Sequence, residues 1–423
     1  MLLLLLVQII VILGVSRIIG GLFQKIHQPQ VIGEIIAGLC LGPSLLGWLA
    51  PSISQHLFPA ASLGYLNILS QIGLILFMFL VGLELDPILL RGRSSAAIVI
   101  SYSSIFVPFV LGILLANYLY PRLADSSIKF SSFALFMGAS MSITAFPVLA
   151  RILSEHGLTQ TRMGTMAITC AAVNDVMAWS ILVVVVAIVR ATDFNSSLLT
   201  TLGGSIAYIA IMLFVVRIFL RKLSERYLQH GKLTQNMLAI ILIILLASAG
   251  TTELLGIHTL FGAFLFGAIM PKEPSFVAVI TSKVEDLSVV FLLPLFFAFI
   301  GLRSQIGLIS GTALWFYCVL IIIVAVVGKF GGSMAAAYFM GFSGRQAATL
   351  GVLMNTRGLV ELLILNIGLD LGVISPTIFV MMVIMALVTT LATSPLVEWL
   401  YPLDMLSIQP ERPLRTVKFM RGQ

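Results

Sequence analysis

The chain has 423 residues, of which 59% are apolar and only 10% charged. Soluble domains carry roughly a quarter charged residues, so water is not the main solvent for this one. Its net charge of +7 is spread over short loops between apolar runs, which excludes a nucleic-acid partner and reads as a membrane-topology signal.

Apolar runs long enough to cross a bilayer, about 20 residues each, recur along the whole chain. They predict an all-α polytopic membrane protein with about 13 transmembrane helices. The first five spans are placed at 2–21, 30–48, 62–85, 95–118 and 130–153, and the next four at 163–190, 199–221, 235–255 and 257–271. The last four are 286–303, 311–340, 346–370 and 374–400. The first span lacks the charged start and small-residue cleavage site of a signal peptide. Cys40, Cys170 and Cys318 all lie inside apolar stretches, without the spacing of a disulfide framework or a zinc site.

An odd number of spans puts the termini on opposite sides. With the N-terminus outside, the inner loops and tail hold 17 of the 24 Lys and Arg residues, and the outer loops hold only Arg122, Lys129, Arg190 and Arg303. The positive-inside rule therefore predicts an N-out, C-in arrangement. A transmembrane domain over 1–403 would be followed by a short basic cytoplasmic tail, 404–423.

The two halves echo each other. Gly33 and Gly38 in span two match Gly262 and Gly267 in span nine, with Pro43 and Pro271 near the ends. Leu80-Val81-Gly82-Leu83 in span three matches Phe299-Ile300-Gly301-Leu302 in span ten. An odd span separation inverts one copy relative to the other, giving repeat one at about 1–190, a linking helix at about 199–221 and repeat two at about 235–400. Such repeats place a transporter's binding site at their interface near the midplane. Spans five and twelve correspond on this mapping. Pro147 disfavours helix at Phe146, so residues 143–146 are expected to unwind, and Asn355-Thr356-Arg357-Gly358 marks a similar interruption in span twelve. Irregular backbone at this depth persists only where protein or a wet cavity surrounds it, so two broken helices are expected to cross there.

Ionisable residues at membrane depth are functional candidates. Asp175 leads, following Asn174 in the middle of span six. A carboxyl whose proton affinity rises on burial and falls beside a cation can exchange one for the other. Lys329 lies mid-span among Gly328, Gly331 and Gly332 and is expected to face Asp175 or the Asn174 carbonyl, with the broken helices' C-terminal ends as further partners. Arg357 and Glu361 are spaced for an intrahelical pair. Glu253 and His258 are candidates for a pH response. Ser140, Ser142, Thr144 and Thr169, with Asn174 and the freed carbonyls, complete a set of hard oxygens that suits Na⁺ or K⁺ alike.

These features resemble the second family of monovalent cation:proton antiporters. The resemblance is carried by Gly33-Glu34-Ile35-Ile36-Ala37-Gly38, Leu80-Val81-Gly82-Leu83-Glu84-Leu85-Asp86, Thr144-Ala145-Phe146-Pro147-Val148, Ala171-Ala172-Val173-Asn174-Asp175 and Asn355-Thr356-Arg357-Gly358-Leu359-Val360-Glu361. Several of these stretches look most like the plant and fungal cation/H⁺ exchangers and their bacterial relatives. The resemblance implies an inverted-repeat antiporter fold, a homodimer, a mobile core of spans four to six and eleven to thirteen, and elevator-like motion. It also implies exchange of Na⁺ or K⁺ for H⁺ without a cofactor, in a bacterial inner membrane or an internal membrane such as a thylakoid. In relatives with two adjacent aspartates, the first pairs with the membrane lysine and the second binds the ion. Here Asn174 takes the first position, so exchange is expected to be electroneutral. Kef-type members carry a nucleotide-binding domain after the membrane part, and no G-x-G-x-x-G unit follows here.

Three other readings compete with this one. Gly341-Phe342-Ser343-Gly344 fits a rhomboid-type G-x-S-G, but every histidine precedes it whereas the protease partner follows, so an enzyme is not expected. A sodium-coupled solute symporter would want a larger polar pocket. A K⁺ efflux pathway regulated by a separate subunit is the third.

Overall fold

The computed structural model describes residues 1–26, 28–84, 95–125, 128–158, 161–190 and 196–401. Every regular element among them is a helix. Ten helices are long and apolar enough to cross a membrane, and two shorter apolar ones, Phe130–Ser142 and Thr259–Ile269, fall at predicted spans five and nine. The expected tail 404–423, with its basic residues, lies outside the described residues, as do Arg91 and Arg93 of the inner-loop count.

The differences from the predicted spans have local causes. Span two stops at Leu41, because Pro43 cannot donate to a helix, and the chain turns into short helices at Leu46–Leu49 and Pro51–Leu57. Span seven runs on through a π turn at Met212–Val216 into Arg217–His230, so most of the basic stretch read as a junction is helical. Its surface carries an Arg221–Glu225 pair at 3.2 Å, and Gly231 ends it at φ 66°. Span ten begins early, at Pro274, and reaches Arg303 through a second π turn at Asp286–Leu292. The charges that hid this extension, Lys283, Glu285 and Asp286, lie at its predicted inner end.

Large apolar side chains point outward along these helices: Ile10 is 69% exposed, Phe106 68%, Leu114 61% and Phe214 71%. Soluble monomers rarely expose contiguous apolar patches of more than a few hundred Å², whereas a lipid-facing surface needs them. The chain is a multi-pass integral membrane protein.

Small residues set how closely the helices approach. Gly38, on Gln30–Leu41, packs against the backbone of Phe297, Ala298 and Gly301 on Leu293–Arg303. Gly82, on Ala60–Glu84, packs in the same way against Phe264, Gly267 and Ala268 on Thr259–Ile269. Exchanging the two halves, as the sequence match does, converts one contact into the other. A similar exchange relates Gly138, which lies on the Phe109 carbonyl, to Gly351, which lies on the Phe330 carbonyl.

The packing sorts the helices into two groups. Gln30–Leu41, Ala60–Glu84, Gln235–Leu254, Thr259–Ile269 and Leu293–Arg303 pack on one another. Ser95–Leu123, Arg162–Arg190, Thr312–Phe339, Pro376–Leu400 and both broken helices form the second group. A polar bridge joins them, with Arg303 bonded to Asn366 and to Asp370 at 2.6 Å each.

The glycine contacts leave no room for a side chain. Gly301→Val or Gly82→Val should cost about 1–3 kcal/mol or more through overpacking. Gly64→Val is the control, because nothing lies within 4 Å of its added Cβ. Melting curves of the monodisperse protein in detergent should fall clearly for the first two and stay near wild type for the third.

Candidate functional site

Spans five and twelve are both interrupted. Phe130–Ser142 gives way to an extended segment before Phe146–Glu155, and Gly344–Met354 is separated from Leu359–Asp370 by Asn355 to Gly358. The two interruptions bond to each other. The Thr144 hydroxyl donates to the Met354 carbonyl at 3.0 Å, and the Ala145 amide donates to the Thr356 carbonyl at 3.0 Å.

A helix that ends inside the membrane leaves its last carbonyls without partners, and they carry its negative dipole end. For Phe130–Ser142, two fully buried cations supply the missing donors. Arg357 donates from Nη1 to the Ser140 carbonyl and from Nη2 to the Met141 carbonyl, each at 2.9 Å. Lys329 donates to the Ser142 carbonyl and, at 2.9 Å, to the Ser104 carbonyl. Ser104 lacks its own helical partner because the residue four positions on is Pro108, which has no N–H. Lys329 itself sits in a π turn, Val327–Gly331, with Gly328 packed on Pro108. The hydrogen bonds of Lys329 thus go to helix carbonyls, the second of the partner types anticipated, rather than to Asp175 or Asn174. Arg357 and Glu361 form the pair expected from their spacing, at 2.9 Å and with neither side chain exposed.

Asn174 and Asp175 project from Arg162–Arg190 toward the crossing, 0% and 1% exposed. The Asp175 carboxylate accepts from the Phe146 amide. That amide opens the second half of broken span five, where a carboxylate is favoured by the helix dipole. Asn174 donates through Nδ2 to the Ser104 hydroxyl at 2.6 Å and to the Thr144 hydroxyl at 3.2 Å. Among the buried oxygens on these segments without a hydrogen-bond partner are Asp175 Oδ1, Asn174 Oδ1, Ser140 Oγ, Asn355 Oδ1 and Thr356 Oγ1. Buried polar atoms are nearly always paired in native proteins. Unpaired oxygens on segments that meet suit a hard monovalent cation as ligands.

The candidate oxygens divide by this criterion. The Ser142 hydroxyl donates to the Gly138 carbonyl at 2.7 Å, with the Ile105 carbonyl also in reach at 3.1 Å, and Thr169 donates back to Thr165 on its own helix. Ser104 and Thr356 were not singled out in sequence. Pro108 was the available signal for Ser104, since it strips the Ser104 carbonyl of its helical donor.

Glu253 and His258 meet at another helix start. Glu253 accepts from the Thr259 amide at 3.2 Å, and His258, at φ 113°, accepts from the Leu260 amide at 3.4 Å. Ser343 of the G-x-S-G stretch is a helix cap, its hydroxyl accepting from the Gln346 amide at 3.4 Å within a capping box.

A sequence profile described as sodium/hydrogen exchanger, transmembrane, matches residues 10–399. The Na(+)/H(+) antiporter NhaS4 of Synechocystis sp. is 49% identical over 95% of this chain and 98% of its own length. Cation/H(+) antiporter 17 of Arabidopsis thaliana is 42% identical, and K(+)/H(+) antiporter 1 of Saccharomyces cerevisiae 35%. The chain spans about half the length of these two, 48% and 46%. Among solved structures, the sodium proton antiporter MjNhaP1 of Methanocaldococcus jannaschii at pH 8 has the same fold, with a TM-score of 0.67 at 16% identity over 95% of this chain and 97% of that one.

The double duty of Arg357 is testable. Arg357→Met leaves Glu361 buried without its cation, a loss of about 3–5 kcal/mol. Adding Glu361→Met removes that stranded charge, yet the Ser140 and Met141 carbonyls still lack donors, at about 1–3 kcal/mol each. The double variant should therefore recover only part of the lost melting temperature. Full recovery would mean that the helix-end contacts contribute nothing.

Proposed function

Because the chain belongs to the sodium/hydrogen exchanger family, we propose that it exchanges a monovalent cation, Na⁺ or K⁺, for H⁺ across a bacterial membrane. The reading rests on one observation. Asp175 is buried at the crossing of two broken helices with Oδ1 unpaired. The nearby cations Lys329 and Arg357 are occupied with helix carbonyls. A carboxylate so placed is stabilised either by a proton or by a small cation, and the two compete.

Asn174 and Ser140 supply further neutral oxygens, and Thr144 takes part by holding the Asn174 amide. Asn174 does not titrate, so Asp175 is the group that carries both ions in turn. One proton per cation and no net charge movement follow from that. The group containing the broken helices moves as a body against the other, elevator fashion, with N-out, C-in topology and two copies forming a homodimer. Glu253 and His258 bear on the pH response through the helix start they hold.

Proteoliposomes loaded with a pH-sensitive dye test the reading. Adding Na⁺ or K⁺ outside should drive proton efflux, and an imposed membrane voltage should leave the rate unchanged. Asp175→Asn should abolish the flux, while Asn174→Asp should make it voltage-sensitive. A wild-type flux that persists in Asp175→Asn would remove Asp175 from the cycle.

A further inference from the structure

Ser104 has no assigned role, and its hydrogen bonds have a direction. Its hydroxyl proton is placed on the Ser101 carbonyl at 2.9 Å, so toward Asn174 the oxygen is purely an acceptor. Thr144 is in the same position, with its proton on the Met354 carbonyl. A hydroxyl carries a single proton. Both can therefore only accept from residue 174, and both accept from Nδ2. The amide of Asn174 has one orientation compatible with this pair, and it turns Oδ1 away from them. That oxygen is buried and without a partner, as is Oδ1 of the adjacent Asp175.

We propose that Ser104 is a positioning residue for cation binding: with Thr144 it fixes the Asn174 amide so that its carbonyl oxygen joins Asp175 as a ligand of the transported ion. The inference rests on the exchange reading above and names how one neutral ligand is aimed. Ser104 is suited to the task because two constraints converge on it. Its carbonyl, freed by Pro108, is held by Lys329, and its hydroxyl is held between Ser101 and Asn174. The residue cannot rotate without giving up one of them. A carboxylate at position 174 has no N–H to donate, so this pair of hydrogen bonds requires the amide.

The test compares Ser104→Ala with Ser104→Thr in the proteoliposome assay, with Na⁺ and K⁺ tried separately. Loss of one orienting hydrogen bond corresponds to roughly a tenfold change in binding. Ser104→Ala should raise the cation KM about tenfold, more than it lowers kcat, and Ser104→Thr, which keeps the hydroxyl, should restore KM to within about twofold. Because cation and proton compete, weaker cation binding demands a lower proton concentration. At fixed cation the half-maximal pH should move about one unit to the alkaline side. The cation-induced rise in melting temperature of the purified protein gives a second readout that needs no transport, and it should shrink for Ala and return for Thr. An unchanged KM and an unchanged melting shift in Ser104→Ala would overturn the inference. So would a fall in kcat alone with a general loss of stability, which is the mark of a purely structural serine. Where wild type shows no cation-driven proton flux at all, the exchange reading fails first; where it does and Ser104→Ala matches it, only the positioning role fails.

Discussion

A backbone carbonyl or amide inside a bilayer has no water to turn to, so it must find a partner within the protein. Prolines sharpen that demand, because each one in a helix interior removes the donor for the carbonyl four residues earlier. Three carbonyls that precede such prolines have been given side-chain donors. Lys329 serves Ser104, freed by Pro108. Arg17 serves Val290, in the π turn just before Pro294, and Gln28 serves Leu391, freed by Pro395, each at 3.3 Å. All three donors are distant in sequence from the carbonyls they serve, so repairing the backbone also ties the fold together. Arg17 joins the first helix to span ten, and Gln28 joins the start of span two to the last helix.

The broken helices pose the same problem at greater cost, since a whole helix end is left open at once. Its repair takes the two cations that a simpler reading would assign to the ion site. Arg357 closes the Ser140 and Met141 carbonyls and Lys329 closes Ser142, which leaves both charges anchored to backbone. The consequence reaches the site chemistry. A lysine bonded to Asp175 would neutralise it permanently, whereas a lysine held on helix carbonyls lowers the local cost of a carboxylate without occupying it. The small residues around Lys329 matter for the same reason: Gly328 lets its helix settle against Pro108, and the π turn brings the ammonium to the Ser104 carbonyl.

Much of this was legible in the sequence because the bilayer enforces it. Span positions, the breaks at Pro147 and Asn355 to Gly358, the buried Asp175 and the Arg357–Glu361 spacing all follow from apolar length, proline chemistry and the cost of buried charge. The glycine match between the halves anticipated which surfaces would be thin, although not that Gly38 meets Gly301 and Gly82 meets Gly267. Hydrogen-bond partners were less accessible. Lys329 looked like a counter-ion because charges attract, and nothing in a linear reading weighed an orphaned carbonyl against a carboxylate. Ser104 went unnoticed because a serine within an apolar span usually bonds to its own helix. Its significance depends on Pro108 behind it and on Asn174 across from it, and the second of these is visible only in three dimensions. The inward extension of span ten was missed for the opposite reason, since charged residues there mimic a loop.

The two interruptions are alike in backbone yet closed differently. In the second half, Glu361 sits in the first turn of Leu359–Asp370 and is held by Arg357, while Thr390 accepts from the Arg357 amide and donates to its carbonyl. A cation belonging to the chain fills that place. In the first half, Asp175 faces the opening of Phe146–Glu155 with one oxygen unpaired, and no side-chain cation is bonded to it among the described residues. A fully symmetric arrangement would either lock both carboxylates with arginine or leave two buried charges to be neutralised together. Fixing one cation in the protein stabilises the crossing and leaves Asp175, unlike Glu361, without a bonded side-chain cation among the described residues. On the exchange proposed for Asp175, the arginine that closes the second break is thus what leaves the first one open to a dissolved cation.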